Sequence, residues 1–459
     1  MKNFPRIIIS ATQSGAGKTT ITAGLLSALK KRGLRVQSYK IGPDYIDPGY
    51  HEIASGRTAH NLDSWLVGKE KLAEIFCETF ADANMAIIEG VMGLFDGGRD
   101  GISSTAEISK ILNVPVVLVI DAKSMGASAA AVALGFREFD KSVNIAGVLL
   151  NRVGSDSHKK MIADELERLG INFFGAIKRD ENFYLPERHL GLVPTAENNS
   201  GELIEYLGEK ISEQIDVDEL IKLANSALPL ETKNFSSATT KEFSCKIAVA
   251  RDEAFNFYYG ESLRELEKLG AEIVFFSPLN DKNLPKEIDG LIIGGGFPEM
   301  FAERLESNKS IRAEIFKAAE TGLPIFAECG GFMYLMKSIC DFDGKIFDMC
   351  GVIPSRAEMT NKLQIVGYVE GTFAKDCLLG KAGEKIHAHE FHFSKEIDGT
   401  NDKKIFNCRR LRTGVNFSEG YCEKNILASY LHIHFAGCPK AAKNFIKACI
   451  CNKNLLELS

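Results

Sequence analysis

No apolar run in the 459-residue sequence approaches the roughly 20 residues that a helix needs to cross a bilayer. Residues 1–10 contain a short isoleucine run but no small-residue cleavage site, which argues against a secretory signal. Basic residues are not in excess either, because the formal net charge is −6, and this argues against a nucleic-acid or anionic membrane surface. These absences predict a cytoplasmic protein without nucleic-acid or membrane partners.

The cysteines lack the spacing of a metal or disulfide framework. There are 11 of them, most late in the chain, with no repeated C-x-x-C and no histidine pairs at zinc spacing. An odd number of cysteines without a secretory signal indicates reduced thiols.

Short apolar runs alternate with helical patterns in both halves of the chain. In the first half, strands are predicted at 6–10, 35–40, 85–89, 114–121 and 146–151, with helices such as 19–31 and 127–139 between them. Continuously apolar strands between helices predict a parallel sheet covered on both faces. A polar, Ser/Thr-rich stretch then interrupts the pattern, which restarts after it. The sequence predicts an α/β fold with two domains, 1–228 and 245–459, joined by a linker at 229–244.

The stretch "ATQSGAGKTT", residues 11–20, lies between the first predicted strand and a helix. Such a glycine-rich turn directs several backbone N–H groups at one anion, which predicts a nucleotide phosphate site. Lys18 would reach the terminal phosphates, and the Thr19 hydroxyl would bind Mg²⁺, although Thr12 replaces the usual first glycine of the motif. The predicted nucleotide-binding residues are Thr12, Gly15, Gly17, Lys18, Thr19, Thr20 and Asn151.

Three acidic residues follow or end predicted strands. Asp44 and Asp47 come just after one strand, and Glu89 ends another. Because the carboxyl ends of parallel strands share one edge of the sheet, these oxygens and the Thr19 hydroxyl are predicted to hold Mg²⁺. A solvated loop carboxylate remains the alternative for Asp44 and for Asp47.

In the second half, "GLPIFAECGGFMYLM" has an apolar run, then Cys329, two glycines and a helical pattern. A thiol on a sharp strand-to-helix turn is predicted to have a lowered pKa and to act as a nucleophile. Backbone N–H groups of Gly330, and of Gly295 and Gly296 in "LIIGGGFPEM", are predicted to bind an oxyanion. A base is needed as well, and the stretches "ASYLHIHFAG" and "HAHEFHFS" offer five candidates, which are His387, His389, His392, His432 and His434.

The motifs GGGFPE, ECGGFMYL and SYLHIHF resemble those of cobalamin-type class I glutamine amidotransferases. The resemblance implies that Cys329 is the nucleophile and His432 its base. His434 stands where other class I domains have a glutamate, which implies a Cys-His pair without the usual third member. The phosphate loop is similar to that of dethiobiotin synthetase. It differs from the loop of the ATPases that act as dimeric switches, because those carry an extra lysine near the position that Gln13 occupies in this chain.

With "KIGPDYIDPGYH", "DEAFNFYYGESL" and "HEFHFS" added, the resemblance to cobalamin-pathway amidoligases covers nearly the whole chain. It implies Mg²⁺- and ATP-dependent amidation of two corrin-ring carboxylates, with L-glutamine as nitrogen donor. Another tetrapyrrole polycarboxylate, such as nickel sirohydrochlorin or metal-free hydrogenobyrinic acid, remains open as substrate. A P-loop ATPase switch is the second alternative, and the Cys329 turn argues against it. Whether the chain forms a homodimer is also open.

Overall fold

The computed structural model describes residues 3–188, 191–192, 200–230, 242–399 and 401–457. The chain divides into two compact units, one made of Met1–Ser64 and Gly68–Phe235 and the other of Trp65–Val67 and Ser236–Ser459. The domain boundaries given above stay predictions, and residues 231–241 of the predicted linker lie outside the described residues. Within the described part of the chain, no helix is long and apolar enough to cross a membrane.

The first unit is built on a seven-stranded sheet in which every neighbouring pair is parallel, with strand order β3-β2-β4-β1-β5-β6-β7. The strands are β1 Arg6–Ala11, β2 Val36–Ile41, β3 His60–Leu62, β4 Met85–Glu89, β5 Val116–Asp121, β6 Ile145–Val153 and β7 Phe173–Lys178. The parallel sheet predicted for this half is confirmed.

The helices of this part of the chain are α1 Lys18–Lys31, α2 Asp47–Ser55, α3 Ser64–Val67, α4 Lys69–Phe80, α5 Thr105–Ile111, α6 Ser128–Phe139, α7 Asp156–Arg168, α8 Gly201–Gln214 and α9 Val217–Asn225. The last two follow the sheet, and α3 belongs to the second unit except for Ser64. A 3-10 turn spans Arg99–Gly101, and the two-residue strands β8 Glu187–Arg188 and β9 Gly191–Leu192 pair with each other.

The central strands of this sheet are covered on both faces, and β2 is buried although it contains Gln37, Ser38 and Lys40. Every residue of β1, β2 and β4 is buried. Parallel register places Ile9 beside Glu89 and Lys40 beside Glu89, so the carboxyl ends of the three strands lie next to one another. The loops that follow β1 and β2 therefore begin at one edge of the sheet, together with the last residue of β4.

The second unit has a six-stranded sheet of order β11-β10-β12-β13-β23-β22, parallel except for the last pair. Its strands are β10 Cys245–Ala250, β11 Ala271–Phe276, β12 Gly290–Ile293, β13 Ile325–Glu328, β22 Tyr421–Glu423 and β23 Ile426–Ser429. The surrounding helices are α10 Gly260–Leu269, α11 Ala302–Ser307, α12 Lys309–Glu320, α13 Gly330–Leu335 and α14 Pro439–Glu457, with 3-10 turns at Pro298–Phe301 and Asn401–Lys403.

Two further sheets complete this unit, and the sequence did not predict them. A mixed sheet contains β14 Met336–Cys340, β15 Ile346–Asp348, β16 Ile353–Met359 and β19 Ser394–Ile397. An antiparallel sheet contains β17 Ile365–Phe373, β18 Lys385–His392, β20 Phe406–Arg410, β21 Asn416–Glu419 and β24 Leu431–Ile433. Strand β24 follows β23 almost directly, so the chain passes from the parallel sheet to the antiparallel one at this point.

Candidate active sites

The phosphate loop of the first unit turns on two glycines. Gly15 has φ of 75° and Gly17 has φ of 95°, a backbone region that residues with a side chain rarely adopt. Gly17 is the N-cap of α1, so Lys18, Thr19 and Thr20 form the first turn of that helix. The loop thus ends at a helix N-terminus, where backbone N–H groups are available to a phosphate.

Asn151 and Arg152, at the end of β6, hold this loop from the side. The Asn151 amide donates to the Ala16 carbonyl at 2.8 Å, and Arg152 donates to the Gly15 carbonyl at 3.0 Å. A methyl group at Gly17 would lie 2.2 Å from the Asn151 amide nitrogen, so only glycine fits there. Asn151 therefore lies against the loop, and its contact with a nucleotide stays a prediction.

Lys18 is folded back onto the loop and is largely buried. Its ammonium donates to the carbonyl oxygens of Met92 at 2.5 Å and Gln13 at 3.3 Å. Burial, followed by repulsion from the Lys40 ammonium, lowers the pKa of Lys18 to about 8. An anion that reached this ammonium would restore its charge.

The predicted magnesium site contains a cation of the protein's own, Lys40. Its ammonium lies 2.5 Å from Oδ2 of Asp47 and 2.7 Å from Oε1 of Glu89, and the Thr19 hydroxyl donates to the same Glu89 oxygen at 2.7 Å. Burial alone would lower the pKa of Lys40, but the carboxylates around it raise it. Burial alone would raise the pKa of Glu89, but Lys40 and His51 lower it. Lys40 is therefore charged and Glu89 ionised.

The structure brings Thr19, Asp47 and Glu89 together, but it uses Asp44 differently. One Asp44 oxygen accepts the N–H groups of Ile46 at 2.8 Å and Asp47 at 3.2 Å, which shapes the turn before α2. Its other oxygen lies 3.9 Å from the Lys40 ammonium. Among the described residues, no group of three or more His, Cys, Asp or Glu side chains is arranged to hold a metal ion.

Cys329 lies at a strained turn between β13 and α13, as the sequence predicts. Its φ is 46° and its ψ is −102°, outside the regions that L-residues favour. The two glycines that follow Cys329 lie against the backbone of a neighbouring segment, which leaves no room for a side chain. A methyl group at Gly330 would lie 3.0 Å from the Gly296 nitrogen, and one at Gly331 would lie 2.0 Å from the Ile293 carbonyl oxygen. The end of β12 and the glycine loop after it thus pack directly against the turn that carries Cys329.

The predicted lowering of the thiol pKa is wrong for this structure. Burial, and next the negative charge of Glu299, raise the pKa of Cys329 well above its usual value. The backbone N–H of Gly330 opposes that rise without cancelling it. The helix N-terminus does not offset the loss of water around the sulfur, so the resting thiol is protonated.

His432, in β24, lies over the glycine loop. A methyl group at Gly295 would be 2.7 Å from Cε1 of its imidazole, and His389 on β18 is its cross-strand neighbour. Burial, and then repulsion from His389 and His392, lower the pKa of His432 to about 3. The imidazole is therefore neutral. His434, two residues on, stacks on the Tyr259 ring at a centroid distance of 4.7 Å.

Sequence reasoning missed two side chains that hold these sites. The His51 ring nitrogen Nε2 lies 2.6 Å from Glu89 Oε2, and both residues are fully buried. In the second unit, the Tyr258 hydroxyl accepts the N–H of Gly294 at 2.8 Å and donates to the Ala250 carbonyl. Both residues lie inside motifs quoted above, but only the folded chain shows which glycine or carboxylate each contacts.

Comparison with known families gives each unit a class. The family described as "CobQ/CobB/MinD/ParA nucleotide binding domain" matches residues 7–193, and the family described as "CobB/CobQ-like glutamine amidotransferase domain" matches residues 246–439. A nucleotide-binding unit and a glutamine amidotransferase unit in one chain define a glutamine-dependent, amide-forming ligase.

Whole-chain relatives narrow this class. The chain is 42% identical over 455 residues to a Dehalococcoides mccartyi (strain CBDB1) protein named cobyrinate a,c-diamide synthase, covering 97% of this chain and 98% of the relative. It is 44% identical over 445 residues to the Caldanaerobacter subterraneus protein of that name, with 96% and 98% covered. For the Priestia megaterium protein of that name, identity is 42% and both chains are 97% covered. The chain belongs to the cobyrinate a,c-diamide synthase family.

Proposed function

We propose that this protein amidates the a and c carboxylates of cobyrinate in cobalamin biosynthesis, with ATP and L-glutamine as co-substrates. The observation that carries the proposal is the 42–44% identity, over 96–97% of the chain, to proteins named cobyrinate a,c-diamide synthase. A cytoplasmic location and a homodimeric assembly are parts of the same proposal, and light scattering on the purified chain would test the second.

Amide formation needs an activated carboxylate, because oxide is a poor leaving group. Transfer of the ATP γ-phosphoryl group to the substrate carboxylate gives an acyl phosphate, which ammonia attacks with release of phosphate. The chain's contribution is to hold the triphosphate on the N–H groups of the loop from Gly15 to Thr19 and to place the Lys18 ammonium at the transferring group. Asn151 and Arg152 brace that loop by donating hydrogen bonds to the carbonyl oxygens of Ala16 and Gly15.

The residues around Lys40 fit a magnesium ion by their chemistry. Thr19, Asp47 and Glu89 supply hydroxyl and carboxylate oxygens, which Mg²⁺ prefers, and the Lys40 ammonium already lies among them as a cation. These three residues would hold Mg²⁺ when ATP is bound, with Asp44 as the outer member of the predicted set. Bound Mg²⁺ neutralises charge on the phosphates.

Glu89→Gln should lower the rate of ATP-dependent synthesis by about 10²–10³-fold and raise the Mg²⁺ requirement, since it removes charge while keeping shape. Initial rates over a series of Mg²⁺ concentrations measure both effects, and melting curves separate them from loss of folding. Asp82→Asn, a change at an exposed carboxylate paired with Arg57, is the control. Turnover and Mg²⁺ dependence like those of the wild type in Glu89→Gln would contradict the metal role.

ATP binding should take up protons near pH 8. Lys18 has a pKa of about 8 because it is buried and lies near Lys40, so it is half protonated there, and phosphate would hold it charged. Below about pH 6.5 Lys18 is already charged and the uptake should vanish. Calorimetry in buffers of different ionisation enthalpy measures the uptake, and the same uptake in Lys18→Arg would contradict this assignment.

In the amidotransferase unit, the Cys329 sulfur attacks the side-chain amide carbon of glutamine. The neutral His432 takes the thiol proton and passes a proton to the departing nitrogen, so ammonia leaves and a thioester forms. Water then attacks the thioester and releases glutamate and the thiol. Backbone N–H groups of Gly295, Gly296 and Gly330 would stabilise the oxyanion in both steps.

The tetrapyrrole is the part of the proposal most open to test. The purified chain is incubated with ATP, Mg²⁺ and glutamine and, in separate reactions, with cobyrinate, hydrogenobyrinate and nickel sirohydrochlorin, and the products are weighed by mass spectrometry. We expect a diamide from cobyrinate at the highest kcat/KM. Amidation of nickel sirohydrochlorin alone would overturn the substrate assignment and leave the chemistry intact.

A further inference from the structure

Glu328 is linked to the chain next to each of the two proposed catalytic residues of the amidotransferase unit. It is the last residue of β13, immediately before Cys329, and is only 8% exposed. Its Oε1 atom accepts a hydrogen bond of 2.7 Å from the backbone N–H of Ile433, the residue that follows His432. Glu328 therefore precedes the nucleophile in the chain, and its carboxyl group is hydrogen-bonded to the peptide group that follows the base.

This hydrogen bond restrains His432 through its backbone. The peptide group between His432 and Ile433 is planar, so a hydrogen bond to its N–H restrains ψ, one of the two backbone torsions of His432. Strand β24 is three residues long and depends on such links. A second link precedes it, because the Cys329 N–H donates to the Ser429 carbonyl at 2.7 Å. The Cys329 turn and the histidine strand are thus joined on both sides of the bend between β23 and β24.

The residue two places after His432 does not supply an acid in this chain. His434 occupies that place and stacks on Tyr259. We propose that Glu328 is the positioning residue for His432, and that it orients the imidazole toward Cys329 through the Ile433 N–H. The inference rests on the assignment of Cys329 and His432 made above.

The charge state of Glu328 decides which substitution is conservative. Burial raises the pKa of Glu328 to about 8, although the hydrogen bond from the Ile433 N–H has the opposite effect on that pKa. The titratable side chains that interact with it electrostatically are Tyr258, Cys329 and Cys438. At neutral pH the uncharged carboxyl predominates, and its carbonyl oxygen accepts the N–H. Glutamine offers the same acceptor on a side chain of the same shape, whereas methionine offers the length without it.

The test compares Glu328→Gln with Glu328→Met in the full chain. The kcat and KM of glutamine hydrolysis are measured for each variant. Amidation supported by ammonium, which does not need the amidotransferase site, reports on the ATP-dependent synthetase reaction. We expect Glu328→Met to lower the hydrolysis kcat by about 10²-fold, the cost of misplacing a catalytic group by about 1 Å, with little change in KM. Glu328→Gln should restore most of the wild-type kcat. Ammonium-supported amidation should be unchanged in both variants.

Asp289 provides the matched control. It is buried, its Oδ2 accepts the Lys246 N–H at 2.8 Å, and it precedes β12 at the opposite end of the same sheet. Asp289→Asn and Asp289→Leu should leave the kcat of glutamine hydrolysis unchanged. If Glu328→Met does not fold, Glu328→Leu is a second variant that lacks the hydrogen-bond acceptor for the Ile433 N–H.

Three results would overturn the inference. They are a wild-type hydrolysis kcat in Glu328→Met, an equal loss in Glu328→Gln and Glu328→Met, or a parallel loss of ammonium-supported amidation and melting temperature. Failure of the underlying assignment is distinguishable, because Cys329→Ala would then still hydrolyse glutamine.

Discussion

Cys329→Ala is expected to abolish glutamine-dependent amidation while amidation with ammonium salts at alkaline pH continues. Removal of the nucleophile from a covalent mechanism costs roughly 10⁶-fold in rate, which places glutamine hydrolysis at background. Ammonia supplied directly bypasses that step, and alkaline pH is needed because ammonium has no lone pair to attack the acyl phosphate. Product formation is measured on one preparation with each nitrogen source, which gives the rates of glutamine-dependent and ammonium-dependent amidation.

Cys340→Ala is the matched control for that experiment. Cys340 is a free cysteine of the same unit at the end of β14, outside the proposed machinery. Its loss should leave both activities in place. If Cys329→Ala lost both activities equally while its melting temperature stayed that of the wild type, the division of labour between two sites would be wrong.

Lys18→Ala is expected to eliminate synthesis with either nitrogen source, by at least about 10²-fold, since it removes the charge nearest the transferring phosphoryl group. Glutamine hydrolysis takes place at Cys329 and should continue at a basal rate. Coupled assays for ADP and for glutamate report on the two reactions separately.

Lys31→Ala is the control for that substitution. Lys31 ends the same helix, is largely exposed and pairs with Glu209, so its loss should change little. Full synthesis by Lys18→Ala would contradict the interpretation of the phosphate loop.

The local features of both sites could be predicted from the sequence. Gly15 and Gly17 mark a backbone path that only glycine follows easily, and the Cys329 turn follows from an apolar strand that stops before two glycines. The choice of His432 among nine histidines came from the family resemblance and not from its spacing. The structure places His432 over the glycine loop, a location that supports that choice.

Contacts between distant segments could not be predicted, because register and sheet order decide them. Lys40 meets Glu89 because β2 and β4 are neighbours in the sheet, and it meets Asp47 because the loop after β2 turns back over the end of that strand. Glu328 reaches Ile433 only because the chain leaves the parallel sheet after β23 and then pairs β24 with β18. The antiparallel sheet that contains β18 and β24 has no clear signal in the sequence. The thiol pKa was mispredicted for a related reason, since the sequence indicated the helix N-terminus but not the depth of burial.

The path of the glutamine amide nitrogen can be followed with nitrogen-15. Cobyrinate, ATP and glutamine labelled at its side-chain amide are incubated with the protein, and NMR assigns the labelled positions while ADP is counted. We expect label in two amides, at the a and c side chains, with one ATP and one glutamine consumed for each. Label at other side chains, or glutamine hydrolysis and ATP turnover without amide formation, would contradict it.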